Sequence, residues 1–301
     1  MMNFHKYIKA VGTGPKSNHD LSFEESADMM TQILNRSVHG EQIAAFLLGW
    51  RMKSESIDEF KGAIKACDSF IKKRHIEDSL ELGYPFDGKA KNPYIFPLVS
   101  QILQNQNLNL VVSGDILQPA KCGITTKYIC DNIKLPPNLY YFDRFNFFKN
   151  LHDLSQVRNR LGLRTGLNTI EKLSQVGNSQ YAITGVFHKP YVKKYIEIFG
   201  YRYKRLALIQ GNEGTPELFS KGSLWVFSKG KTEEFEINPN FYGIKYKNPI
   251  ERITQEESLQ QLKNPTKECR ELALLNAAIY LFVSNRANSI DEAYEKIKIS
   301  R

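Results

Sequence analysis

Between about residues 93 and 211, short apolar runs alternate with segments that have the period of a helix. The segments between the apolar runs, such as "TTKYICDNI" and "PYVKKYIEIFG", have the apolar spacing of helices. Strands that alternate with helices predict a mostly parallel sheet flanked by helices. A later stretch, "SLWVFSKGKTEEFEI", predicts a hairpin that adds antiparallel strands. The apolar runs are "LNLVVSG", "LYYFD", "YAITGVF" and "RLALIQG".

The residues before this alternation have the pattern of a helical domain. Two capping boxes, "SFEE" from Ser22 and "SIDE" from Ser56, predict helix starts, because the Ser oxygen accepts an N–H three residues on and the Glu reaches back. Between them, "HGEQIAAFLLGWRMK" is apolar on more than one face, which predicts a central helix. We therefore predict a helical domain over residues 1–78, joined by helices from about 150–176, and an α/β domain over residues 79–301.

Cysteine usage and hydropathy indicate a reducing, aqueous compartment. The four cysteines form no C-x-x-C pair and no zinc spacing, so we interpret them as reduced packing residues. No apolar run approaches the roughly 18–20 residues that span a bilayer. The first residues, "MMNFHKYIKA", lack the apolar stretch of a secretory signal. These observations predict a cytoplasmic protein with no membrane partner.

The positive charge of the chain is concentrated in one segment. The formal net charge is +9, and residues 151–210 carry ten Lys and Arg against three Asp and Glu, a net of +7. A field concentrated in this way attracts a polyanion more readily than an even scatter of charge, although a solvated basic surface is an open alternative.

The basic side chains of this segment are therefore candidate phosphate contacts. Arg160 and Arg164 lie four positions apart, which is one face of a helix, and the guanidinium fork suits phosphate oxygens. Tyrosines interleave with the cations; such rings stack unpaired bases in single strands, but they equally fit a half-buried core. The candidates are Arg158, Arg160, Arg164, Lys189, Lys193, Lys194, Arg202, Lys204 and Arg205.

Three strings resemble the superfamily of anthranilate phosphoribosyltransferases and pyrimidine nucleoside phosphorylases. "EQIAAFLLGWRMKSESIDEFKGAIKA" is similar to the Q-x-A-A-F-L-x-A-x-R-x-K-G-E-T signature of its helical domain. "VRNRLGLRTGLNT" is similar to its R-x-x-L-G-x-R-T segment, and "LLNAAIYLFVSNRANSIDEAYE" to its C-terminal helix pair. "VGTGPK", "GVFHKPY" and "GNEGTPEL" look most like the paralogue branch that binds nucleic acid. This likeness implies a homodimer that binds DNA with little sequence preference and lacks the transferase reaction.

The chain departs from the transferase pattern at the loops that bind the donor. The transferases hold pyrophosphate with a G-T-G-G-D loop, whose glycines let several N–H groups converge on one anion. The matching "YPFDGKAKNPY" has a single glycine and carries Lys89 and Lys91, point charges that suit phosphates spaced along a strand. The K-H-G-N-R motif corresponds to "VSGDI", where Asp115 adds a repelling charge.

A glycine-rich loop after the last parallel strand, "GNEGTPELF", raises the question of a metal site. The resemblance implies an Asp-Glu pair that holds Mg²⁺ here, and this chain has Pro216 and Glu217, with Glu213 upstream. Mg²⁺ prefers octahedral oxygen ligands from carboxylates and substrate phosphates. We interpret the loop as a remnant that shapes a cleft, with Glu213 and Glu217 as metal ligands under the alternative.

Three hypotheses follow from the sequence. The leading one is a homodimer that binds nucleic acid without sequence preference, needs no cofactor, and pairs through its helical domain. The alternative is an active glycosyl or phosphoribosyl transferase that uses Mg²⁺ and phosphoribosyl pyrophosphate. The third is a scaffold that binds only other proteins, for which neither ligand would bind.

Overall fold

The N-terminal part of the protein is a bundle of four helices. The computed structural model describes residues 4–299. Ser22 and Glu25 form the predicted capping box of the second helix, and Ser56 and Glu59 that of the fourth, so both predicted helix starts are confirmed. The helices are α1 (His5–Gly12), α2 (Phe23–Leu34), α3 (Gly40–Lys53) and α4 (Ile57–Asp68).

The remainder of the chain forms one seven-stranded sheet with helices around it. Its strands are β1 (Ser79–Gly83), β2 (Asn109–Gly114), β3 (Leu139–Asp143), β4 (Tyr181–Gly185), β5 (Arg205–Ile209), β6 (Gly222–Ser228) and β7 (Lys231–Ile237). The strand order is β3-β2-β1-β4-β5-β6-β7. The first five strands are parallel, and β6 and β7 are antiparallel additions, which confirms the predicted mostly parallel sheet and its hairpin.

The connections between strands carry most of the remaining helices. They are α5 (Phe96–Leu103), α6 (Thr126–Asp131), α7 (Arg144–Phe147), α8 (Lys149–His152), α9 (Ser155–Leu161), α10 (Leu167–Ile170) and α11 (Pro190–Phe199). The chain closes with α12 (Gln255–Lys263), α13 (Lys267–Val283) and α14 (Ile290–Ile299). Four 3₁₀ turns lie at 104–106, 200–202, 212–214 and 239–242.

The helices predicted over about 150–176 are shorter than the sequence indicated. α10 ends at Ile170, and Gln175 has a left-handed φ of 54°. The reason is tertiary: buried Glu81 on β1 accepts the N–H of Ser174 at 2.9 Å and that of Gln175 at 3.0 Å. A helix would have taken those N–H groups, so the buried carboxylate overrides the local pattern.

The two faces of the sheet belong to two apolar cores. Along β2, Val111 packs into the core shared with the helical bundle, while Leu110 and Val112 pack into the core of α5, α13 and α14. This alternation follows from the two-residue period of a strand. Trp50 on α3 is fully buried in the first core. The helical bundle is thus packed directly on one face of the sheet.

α3 also presents apolar side chains outward. Leu48 and Met52, four positions apart and so on one side of the helix, are 38% and 76% exposed. A homodimer through the helical domain would cover this surface, and the dimer stays a prediction. Within residues 4–299, every helix is too short or too polar to span a membrane.

Candidate functional site

The candidate site lies where the strand order reverses direction. β1 is followed in the chain by β2 on one side, and the chain then returns to place β4 on the other side of β1. In open α/β sheets, ligands bind outside the carboxyl ends of the strands at such a switch point. Residues 84–95 follow β1 and residues 210–217 follow β5; together we call them the switch-point site.

Glycines let the loop after β5 lie close to the end of β4 and turn tightly on itself. A Cβ added at Gly185, the last residue of β4, would lie 2.2 Å from the carbonyl carbon of Gly214. A Cβ at Gly211 would lie 1.8 Å from the carbonyl oxygen of Thr215. Only glycine allows backbones to approach this closely. The turn after β5 therefore lies against the end of β4, and its side chains reach residues 84–95.

Glu213 projects from that turn onto three successive backbone amides. Its carboxylate accepts the N–H of Ala90 at 2.6 Å, of Lys91 at 3.0 Å and of Asn92 at 3.0 Å. Burial would raise the pKa of Glu213, but these three hydrogen bonds outweigh it and hold the pKa below its ordinary value. The carboxylate is therefore ionised at neutral pH. We call residues 90–92 the amide loop.

Glu217, four residues after Glu213, binds the N-terminus of α5 and Lys89. It is fully buried and accepts the N–H of Ile95 and Phe96, both at 2.8 Å, at the start of α5. Its other oxygen lies 2.6 Å from Nζ of Lys89, which is also fully buried. A carboxylate at a helix N-terminus with a lysine beside it is a satisfied internal ion pair.

These contacts test the magnesium site expected under the alternative. Both oxygens of Glu213 and both oxygens of Glu217 already accept hydrogen bonds, and Pro216 offers no side-chain ligand. Among residues 4–299, no three His, Cys, Asp or Glu side chains are grouped as metal ligands. Because Mg²⁺ needs several oxygens in octahedral geometry, these residues do not fit it as arranged.

Cationic side chains border the same site. Arg164 Nε donates to Oδ2 of buried Asp87 at 2.9 Å, and Lys121 Nζ lies 3.8 Å from the other oxygen of Asp87. Lys121 Nζ also donates to the carbonyl oxygens of Gly88 at 2.8 Å and Glu213 at 2.9 Å.

The pKa of Lys121 reports the electrostatics of this corner. Burial lowers it below the ordinary value; the carboxylates of Asp87 and Glu213 oppose that shift, and the like charges of Arg164 and Lys172 add to it. Lys172, which is buried, donates to the carbonyl of Gly185 at 3.0 Å. Neither Lys121 nor Lys172 was identified from the sequence, because neither lies in a recognisable short motif.

A network of buried ion pairs joins Arg144, Arg158, Glu171 and Asp115. Arg158 donates to both oxygens of Glu171, at 2.6 and 3.0 Å, and Arg144 donates to Glu171 and to Asp115. His152 Nδ1 lies 2.6 Å from Asp115. Asp115, expected from the sequence to repel a ligand, is instead neutralised by Arg144. Burial would raise the pKa of Glu171, but Arg158 and Arg144 lower it below its ordinary range.

Three of the predicted nucleic-acid contacts are internal, which corrects the sequence interpretation. Lys89 and Arg158 are buried in the ion pairs just described. Arg202 pairs with both oxygens of Asp68 and keeps 4% of its side chain exposed. A charge that is buried and neutralised cannot contact a polyanion at the surface.

The other predicted contacts remain on the surface in varying degree. Arg164, Lys194 and Arg205 are partly exposed, and each donates to a protein acceptor. Lys189 is exposed and pairs with Glu234 at 2.7 Å, and Lys193 is 3.8 Å from Glu197. The exposed candidates are Lys91, Arg160, Lys189, Lys193 and Lys204.

A helical bundle packed on one face of an α/β sheet, with a loop site at the switch point, defines the class of anthranilate phosphoribosyltransferase-like proteins. Residues 5–70 match the helical bundle domain of the Glycosyl transferase family, and residues 145–300 match its a/b domain. The second match covers more than half of the chain. This chain belongs to that family.

Individual relatives agree with this assignment. The chain is 26% identical to the anthranilate phosphoribosyltransferase of Petrotoga mobilis over 96% of this chain and 90% of the relative. The Thermus thermophilus anthranilate phosphoribosyltransferase has a TM-score of 0.78 at 18% identity, covering 99% of this chain and 94% of that one. The Saccharomyces cerevisiae enzyme in complex with PRPP and Mg has a TM-score of 0.77 at 15% identity, covering 99% and 93%. The two structural likenesses show the fold.

Proposed function

We propose that the switch-point site binds a small phosphorylated molecule of the phosphoribosyl pyrophosphate class. The observation that carries the proposal is the position of Lys121 and Arg164 on either side of Asp87, with Lys172 nearby. Three cations meet two carboxylates there, so the corner keeps a net positive charge. The names of the relatives favour the same ligand, since the yeast enzyme is described with PRPP and Mg.

The electrostatics of Lys121 give the physical reason. Its ammonium is largely removed from water and stands near two other cations, which is why its pKa is lowered. A negatively charged phosphate oxygen beside the ammonium would stabilise it in place of the water that burial has removed. Charge-assisted hydrogen bonds from lysine and arginine to phosphate are stronger than neutral ones, so an anionic ligand gains more at this corner than on the open surface.

The proposal concerns binding and includes no magnesium-dependent step. Glu213 and Glu217, which the resemblance would make metal ligands, both hold protein groups. We therefore derive no transfer reaction through a metal for this chain.

Nucleic-acid binding is the second candidate, favoured by what remains on the surface. Arg160, Lys193 and Lys204 are exposed, and the segment they belong to carries the net charge of +7. Tyr191 and Tyr201 in the same segment are 52% and 62% exposed, as base-stacking side chains would be. Because Lys89, Arg158 and Arg202 form internal ion pairs, fewer cations are free to contact nucleic acid than the sequence indicated.

One pair of variants separates the two candidates. Lys121→Gln is expected to weaken binding of phosphoribosyl pyrophosphate about ten- to a hundredfold, because a charged hydrogen bond of about 1.5–3 kcal/mol is lost. Lys204→Gln, on the exposed surface, should leave it unchanged. Isothermal titration measures both. In parallel, fluorescence anisotropy with a labelled single-stranded oligonucleotide is recorded between about 50 and 300 mM salt, where phosphate contacts lose affinity steeply.

The outcomes differ for each candidate. Binding of the small ligand that Lys121→Gln weakens supports the proposal. Salt-dependent binding of the oligonucleotide that Lys204→Gln weakens, with no uptake of the small ligand, would replace the proposal by the second candidate. Uptake of neither ligand would contradict both and leave the scaffold hypothesis.

A further inference from the structure

We infer that Glu213 is an internal competitor for the ligand of the switch-point site: its carboxylate occupies the amide loop and must withdraw before an anionic ligand can bind there. The inference rests on the proposed function for the chemical class of that ligand. Its structural part, a loop closed by the chain's own carboxylate, stands on the contacts of Glu213 alone.

The amide loop has the geometry of an anion site. The N–H groups of Ala90, Lys91 and Asn92 all point at one carboxylate, within 2.6–3.0 Å. The loop lies outside every helix and strand, so no backbone ladder uses these donors. Successive N–H groups that converge in this way form a concavity for an anion. In this chain the anion present is the side chain of Glu213.

The backbone that carries Glu213 is unusual for a residue with a side chain. Its φ is 55°, in the left-handed region that favours glycine, and Gly214 follows with a φ of 76°. A non-glycine residue in this region costs of order 1–3 kcal/mol and persists where its surroundings hold it. The N–H of Asn212 bonds to the carbonyl of Glu217 at 2.7 Å, which closes the turn. In this conformation of the turn, the side chain of Glu213 reaches the amide loop.

Glu213 differs from Glu217 in how firmly it is held. Glu217 is fully buried and paired with Lys89. Glu213 is partly exposed, and in the part of the chain that the structure describes no lysine or arginine side chain forms an ion pair with it. One carboxylate is fixed inside the protein, whereas the other is accessible to water and can exchange with a solute anion.

The consequence is a lower apparent affinity for any ligand that needs the amide loop. Apparent affinity falls in proportion to the fraction of molecules in which the loop is open. Since hydrogen bonds to a charged group hold the loop closed, Glu213→Gln is expected to tighten pyrophosphate binding about ten- to a hundredfold. The amide keeps the size of the side chain but loses the charge and one of the two accepting atoms.

The experiment compares wild type, Glu213→Gln and Glu251→Gln, which makes the same charge change at an exposed residue. Isothermal titration with pyrophosphate measures affinity, and thermal unfolding confirms that each variant is folded. Limited digestion with trypsin, without ligand, measures cleavage after exposed Lys91, which we expect to be at least about tenfold faster in Glu213→Gln than in wild type, because the loop has lost charged hydrogen bonds. Glu251→Gln should behave as wild type in both assays.

Each result bears on one of the two claims. Tighter pyrophosphate binding together with faster cleavage in Glu213→Gln supports the inference. Faster cleavage in Glu213→Gln with no pyrophosphate binding in any variant supports the inference that Glu213 closes the loop, but it overturns the proposed function. Unchanged cleavage after Lys91 overturns the inference, whatever the affinity for pyrophosphate.

Discussion

Replacement of Arg158 by leucine is expected to lower the free energy of unfolding by about 3–5 kcal/mol, the range for breaking a buried ion pair by removal of one partner. Arg158 is 1% exposed and holds both oxygens of Glu171. Without it, the buried carboxylate keeps a single cation, Arg144. Arg160→Leu, two residues on and exposed, should change the free energy by less than about 0.5 kcal/mol.

Urea unfolding at pH 7 measures both variants. From the sequence, both arginines were candidate phosphate contacts, whereas the structure buries Arg158 and leaves Arg160 exposed. Equal and small effects of the two substitutions would show that Arg158 is not buried with Glu171.

The cost of Arg158→Leu should also depend on pH. The pKa of Glu171 is lowered in the folded protein, so this group contributes stability above its unfolded value of about 4.3, and that stability is lost as pH falls through the folded pKa. In the variant the carboxylate has lost one of its two cations and takes up a proton more readily. The difference between wild type and variant should therefore shrink as pH falls below about 4.

The second large effect is expected at Lys89. Lys89→Met should lower the free energy of unfolding by about 3–5 kcal/mol, because fully buried Glu217 would lose the only lysine that pairs with it in the described chain. Lys91→Met, at an exposed residue two positions on, should change it by less than about 0.5 kcal/mol. Chemical denaturation of both variants gives the comparison.

A double variant tests the cause. Lys89→Met combined with Glu217→Gln removes both charges and should recover part of the stability lost in Lys89→Met alone, as expected for coupled neighbours. The free energy that Glu217→Gln costs is measured both in wild type and in Lys89→Met. If that cost is the same in both backgrounds, the two side chains do not interact, and the ion pair is not the reason for the burial of Lys89.

The parts of the fold that local chemistry determines were predictable from the sequence. The capping boxes at Ser22 and Ser56 set helix starts through contacts only three residues apart. The alternation of strands and helices predicted the parallel sheet, and the "SKGK" turn predicted the β6–β7 hairpin. Each of these signals lies within one short stretch of chain.

The candidate site was less predictable because its contacts join distant parts of the chain. Lys89 meets Glu217 across 128 positions, and Glu213 meets Ala90 across 123. The sequence around a basic residue does not show whether that residue forms an ion pair with a distant carboxylate in the folded protein. From the sequence, Glu213 and Glu217 were candidate metal ligands under the alternative, but the sequence could not show that both accept hydrogen bonds from backbone amides of residues 90–96.

Hydrogen exchange of the three loop amides shows whether Glu213 closes the amide loop. We expect slow exchange of the N–H groups of Ala90, Lys91 and Asn92 in wild type, and exchange about ten- to a hundredfold faster in Glu213→Gln. The amides of Ile95 and Phe96 should be unchanged, because Glu217 holds them. Fast exchange of the three amides in wild type, or the same rates in the variant, would contradict the claim that this protein closes the loop with its own carboxylate.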